Sequence, residues 1–99
     1  MRLSPSQAQI IHNLALEVAG SHAQVRLFGS RLDDAARGGD VDLLLELPAA
    51  TDNPAWLAAT FSAKVSRALD GRQVDVLISA PGLKHLPIHE IALREGQVL

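Results

Sequence analysis

The sequence predicts an α/β (α+β) domain, and three observations predict it. Short segments that alternate apolar and polar residues, the period of a strand, recur at Gln24–Phe28, Asp40–Leu47 and Gln73–Ser79. Segments with apolar residues three and four apart, the spacing of a helix, lie before, between and after them. Glycine, proline and small polar residues punctuate the junctions.

In chain order, Ser4-Pro5-Ser6-Gln7 reads as a helix start, with Ser4 as N-cap, Pro5 at the first helical position and Gln7 closing a capping box. Ile10, Ile11, Leu14 and Val18 share one face of that helix, and Gly20 stops it. The first strand places Val25 and Leu27 on one side and runs into Gly29. Arg31 to Gly39 reads as a short helix or turn followed by a loop. In the second strand Val41, Leu43, Leu45 and Leu47 occupy one face, while Asp40, Asp42, Leu44 and Glu46 occupy the other. Asp52-Asn53-Pro54 starts a second helix, whose Leu57, Phe61, Val65 and Leu69 recur every four residues until Gly71. The third strand sets Val74, Val76 and Ile78 against Asp75 and Leu77. After the turn at Pro81-Gly82, a last helix is expected from about Pro87, burying Ile88, Ile91 and Ala92 and stopping before Gly96, with Val98 and Leu99 as a terminal extension.

The chain's 99 residues suit a single domain over 1–99. With 47% hydrophobic and 20% charged residues, it has the composition of a folded domain and not of a disordered one. No apolar run approaches the ~20 residues of a membrane span, and no signal-peptide pattern opens the chain, so a cytoplasmic location is expected. The lack of cysteine removes disulfides, thiolate zinc sites and thiol nucleophiles. A net charge of −2 argues against long double-stranded nucleic acid as a partner, although Arg26, Arg31 and Arg37 suggest a local cationic rim. Phe28, Trp56 and Phe61 are the aromatic residues, too few for a single-strand stacking platform. Trp56 and Phe61 read as core or partner-interface residues.

Asp40 and Asp42 point the same way about 7 Å apart along their strand, and carboxylates that close call for a cation between them. Asp75 would add a third carboxylate; a charged residue between Val74 and Val76 is costly to cover unless it is paired or ligated. Such a cage suits two hard cations about 3.5–4 Å apart, the arrangement used for in-line displacement at phosphorus. Gly29-Ser30 supplies a tight turn whose amides and hydroxyl meet phosphate oxygens. Taken singly, the aspartates read as a solvated strand end or an edge strand facing water, Gly29 as a turn residue and Ser30 as a cap. His85 and His89, four apart with Pro87 between them, read as surface or capping residues before they read as metal ligands.

Leu27-Phe28-Gly29-Ser30-Arg31, then Gly39-Asp40-Val41-Asp42-Leu43-Leu44, then Val74-Asp75-Val76-Leu77 together resemble the minimal nucleotidyltransferases of the DNA polymerase beta superfamily. The resemblance covers nearly the whole chain, down to Ile91-Ala92-Leu93-Arg94-Glu95-Gly96. It implies the nucleotidyltransferase fold, a small mixed sheet with helices against it, and transfer of a nucleoside monophosphate from an NTP with release of pyrophosphate. It further implies two Mg²⁺ ions held by Asp40, Asp42 and Asp75, a triphosphate held at Gly29 and Ser30 with Arg31 on its oxygens, and Asp75 as the residue nearest the acceptor proton. Two departures stand out: Gly39 occupies a place where such proteins often carry serine, and Asp33 and Asp34 add negative charge near the phosphate entrance.

Small stand-alone members of that family resemble antitoxins of HEPN/MNT toxin–antitoxin pairs. The resemblance implies AMP transfer from ATP to a tyrosine of a HEPN-domain ribonuclease toxin. A chain of this length has no residues for an acceptor-holding helical domain, so the acceptor is expected on another polypeptide. A binding module that masks the toxin by contact is the alternative, and adenylylation of a small molecule is a third reading.

Overall fold

The computed structural model describes residues 3–29 and 41–99, which form three helices and a four-stranded mixed sheet, an α+β fold. The elements run α1 (Pro5–Ala19), β1 (Gln24–Phe28), β2 (Val41–Glu46), α2 (Pro54–Ala68), β3 (Val74–Ser79), α3 (Pro87–Glu95) and β4 (Gln97–Val98). The expected turn or helix over Arg31 to Gly39 lies outside the described residues.

Local chemistry sets the helix ends. Ser4 Oγ accepts from the Gln7 N–H at 3.1 Å while Gln7 Oε1 accepts from the Ser4 N–H at 2.8 Å, the reciprocal box expected from the sequence. Asn53 caps α2 through its side-chain oxygen on the Trp56 N–H at 3.0 Å, with Pro54 in the first turn.

Sheet order is β3-β2-β1-β4. β1 runs antiparallel to both β2 and β4, whereas β2 and β3 are parallel and joined through α2, the crossover a parallel pair requires. Pairing of Val41 with Val74 and of Leu43 with Leu27 puts Val25, Leu27, Val41, Leu43 and Val74 on one face, packed with Ile11 of α1 and with Leu57, Phe61 and Val65 of α2. The second face carries Phe28, Asp42, Leu44, Asp75 and Leu77, and Ala92 of α3 packs on its apolar part. Arg26 also lies there, its Nε 2.9 Å from Glu46 Oε2. That ion pair commits Arg26, which corrects its reading as part of a cationic rim; Arg31 and Arg37 lie outside the described residues.

Four other expectations change. Ile10 is exposed, and Ile11 and Ala15 are the buried face of α1. Of the two places expected for Trp56 and Phe61, core or partner interface, the core holds for Phe61, which is fully buried, and not for Trp56, which is 61% exposed. Gln97–Val98 is a strand on β1 and not a loose extension, because the open side of β1 offers unpaired backbone groups that the chain end satisfies. On α3, His89 and Ala92 are buried, whereas Ile88 and Ile91 are exposed at 43% and 40%.

The rotation of α3 has a physical cause at the β3 edge. Val41 N–H donates to the Gln73 carbonyl and Leu47 N–H to the Ser79 carbonyl, so odd-numbered residues of β3 turn their backbone groups to β2 and even-numbered ones to the open edge. Ser62 Oγ donates to the outward Val74 carbonyl at 2.6 Å, and His89 Nε2 meets the outward Ile78 carbonyl at 3.0 Å. His89 Nδ1 accepts from the Leu86 N–H at 3.0 Å, so the ring is the neutral Nε2–H tautomer and donates to Ile78. Isoleucine has no such donor, and the small Ala92 lets α3 approach Phe28 and Leu44. Side chains thereby blunt an edge that would otherwise template pairing with another chain. His89→Leu is expected to cost about 1–3 kcal/mol by orphaning the buried Ile78 carbonyl. Urea denaturation checks the loss, and sedimentation checks the accompanying rise in self-association.

Candidate functional site

Asp42 stands second in β2 and Asp75 second in β3, and parallel pairing sets them directly side by side. Adjacent strands lie about 4.8 Å apart, and register partners in a parallel pair project to the same face. The two carboxylates therefore share one locus on the α3 side of the sheet. Their neighbour on the other flank is the end of β1, where Phe28 pairs with Asp42 and the chain turns at Gly29.

Gly29 is required there on two counts. Its φ of +76° lies in the left-handed region, and a Cβ built on it would collide with Asp42 Oδ2. The backbone thus passes against the Asp42 carboxylate, and a side chain at position 29 would push that carboxylate aside. A cavity of about 300 Å³ opens beside this group. Asp42, Asp75 and Gly29 form its polar side. Phe28, Val76 and Leu77 of the sheet and Ile88 and Ile91 of α3 supply the rest of its lining, which is apolar.

Asp75 is exposed on an edge strand, so the cost of covering it, which drew attention to it in the sequence, does not apply. Its register with Asp42 is what places it in the site. Of the other sequence candidates, Asp40, Ser30 and Arg31 lie outside the described residues. Among the described residues no group of three or more acidic, histidine or cysteine side chains converges; Asp42 and Asp75 are a pair.

His85 and His89 do not make a metal site. Both ring nitrogens of His89 are engaged by backbone groups, and His85 Nε2 lies 2.9 Å from Glu90 Oε1. The rings sit 5.3 Å apart between centroids.

A larger depression of about 500 Å³ lies elsewhere, between the end of α1 and the Leu47–Leu57 segment. Its polar lining is the consecutive run Thr51, Asp52 and Asn53, of which Asn53 is committed to capping α2 and Asp52 is the ionisable residue, so no pair of ionisable groups meets there as Asp42 and Asp75 do.

Ile88 and Ile91 are the site residues that sequence reasoning placed elsewhere, as core. Their signal was present in the neighbouring row, where His89 and Ala92 keep the same spacing of three and combine a hydrogen-bonding ring with a small side chain. No helix among the described residues is long and apolar enough to cross a membrane. No protein-family model and no curated protein matches the chain.

Proposed function

We propose that this protein is an Mg²⁺-dependent nucleotidyltransferase that moves AMP from ATP to a hydroxyl of a partner protein, a tyrosine of a HEPN ribonuclease toxin, and so acts as an antitoxin in the cytoplasm. The observation that carries the reading is the lateral register of Asp42 and Asp75, on one face, beside a glycine whose missing side chain leaves room for a carboxylate.

The donor set fits the ion. Mg²⁺ takes one or two carboxylates and completes its shell with substrate phosphates and water, and hard oxygen donors are what Asp42 and Asp75 offer. Asp40, two residues before Asp42, is the third ligand by resemblance. When bound, Mg²⁺ supplies charge that offsets the phosphate oxygens in an in-line displacement.

The chain's own residues do the rest. Gly29 lets a phosphate-bearing ligand approach backbone amides at the turn, where a side chain would stand in the way. Asp42 sits between Gly29 and Asp75 and is oriented by the β2 ladder on both sides. Asp75, at the open edge, is the carboxylate an incoming acceptor meets first, and it receives the hydroxyl proton.

Co-expression with the product of the neighbouring reading frame, followed by intact-mass measurement, tests the reading. One added adenylyl group on the partner, dependent on Mg²⁺ and ATP, is the expected result. A partner that is neutralised with unchanged mass would show masking by contact instead.

A further inference from the structure

Ile88 and Ile91 are large apolar side chains left exposed on α3, and both line the cavity that contains Asp42 and Asp75. Scattered exposed isoleucines mean little, but an i, i+3 pair continuous with a carboxylate-bearing cavity is a ligand-binding arrangement. The fold does not need them there, since His89 and Ala92 are the residues that seat α3 on the sheet.

The cavity is amphipathic in a particular way, apolar along Phe28, Leu77, Ile88 and Ile91 and acidic at one end. A group that fits has an apolar planar body and a hydroxyl at its tip, which describes a phenol and not an aliphatic alcohol. A volume of about 300 Å³ holds one such ring beside the carboxylates, at the lower limit for small-molecule pockets. A nucleobase suits the same place less well. Ribose separates it from the reacting phosphorus, whereas a phenol's ring carries the attacking oxygen directly.

We infer that Ile88 and Ile91 determine acceptor specificity, forming the wall that selects an aromatic hydroxyl, a tyrosyl side chain of a protein partner. This rests on the transferase reading above. In the step it serves, the phenolic oxygen forms a bond to the α-phosphorus of ATP. The bond from that phosphorus to the oxygen bridging to the β-phosphate breaks, pyrophosphate leaves with the electron pair, and the phenolic proton passes to Asp75.

Two measurements test it. In the first, N-acetyltyrosinamide is titrated into the unmodified protein without Mg²⁺ or ATP while isoleucine methyl resonances are followed. Ile88 and Ile91 are expected to shift, and Ile10, equally exposed at 40% on α1, to stay still. Equal shifts at all three, or none, overturn the inference. In the second, Ile88→Ser/Ile91→Ser is assayed with Mg²⁺–ATP and a tyrosyl peptide. The KM for the peptide is expected to rise about tenfold or more, with the KM for ATP changed by less than about twofold. A raised KM for ATP instead would assign the wall to the nucleotide and overturn the inference. So would an unchanged KM for the peptide, while leaving the transferase reading standing. Absence of transfer by the unmodified protein to any acceptor would remove both.

Discussion

Asp75→Asn is expected to lower nucleotidyl transfer by about 10³-fold or more, the scale of losing a group that acts on charge developing at the reacting centre. Asparagine keeps the shape of the side chain and removes the negative charge. The position is exposed on an edge strand, so the substitution leaves the core untouched and the protein folded. The measurement is pyrophosphate release with Mg²⁺–ATP and acceptor, run beside thermal denaturation in Mg²⁺ and in EDTA. Asp75 is exposed, so the asparagine protein is expected to melt as the unmodified protein does in EDTA and to lose the gain that Mg²⁺ gives. Transfer undiminished by the substitution would disconnect Asp75 from the chemistry. Loss of transfer with toxin neutralisation intact would show that contact alone suffices.

Gly29→Ala is the second large effect, and it separates geometry from charge because it removes no ionisable group. The backbone there has φ +76°, which costs an alanine roughly 1–2 kcal/mol. The added methyl also falls on Asp42 Oδ2, so relief of the clash moves the carboxylate, or the turn, away from its place beside Asp75. Transfer is expected to fall about 10²-fold, since small misplacements of reacting groups cost that much. Circular dichroism is expected to show an intact fold, with a modest drop in urea midpoint. A Gly29→Ala protein with full activity would mean that the close approach of the turn to Asp42 plays no part in catalysis.

Both effects depend on features of unequal visibility in the sequence. Asp42 was assigned to the face opposite Val41 and Leu43 by alternation alone, and it lies there with Phe28 and Leu44. Asp75 was singled out for the cost of burying it, yet it is exposed, and its place in the site comes from pairing with Asp42. Gly29 was recognised as a turn; that the turn presses on Asp42 was not visible, because the contact joins strands whose register no local pattern states. On α3 the hydropathy pattern is right for Ala92 and wrong for Ile88 and Ile91. Ile88 and Ile91 look like core in a one-dimensional count, but the edge carbonyl of Ile78 needs a donor, and His89 provides it.

By itself the sequence determined what depends on residues a few positions apart. These are the capped starts of α1 and α2, the glycine that ends α1, the alternation of β1, β2 and β3, and the buried stripe Leu57, Phe61 and Val65. Such features follow from backbone sterics and the periods 2 and 3.6, which short segments carry within themselves. The tertiary structure alone decided the strand order β3-β2-β1-β4, the parallel register that sets Asp75 beside Asp42, the fourth strand at the chain end and the rotation of α3. These depend on hydrogen bonds and packing between segments far apart in the chain, where many arrangements satisfy the same local pattern and the satisfaction of buried and edge backbone groups selects among them.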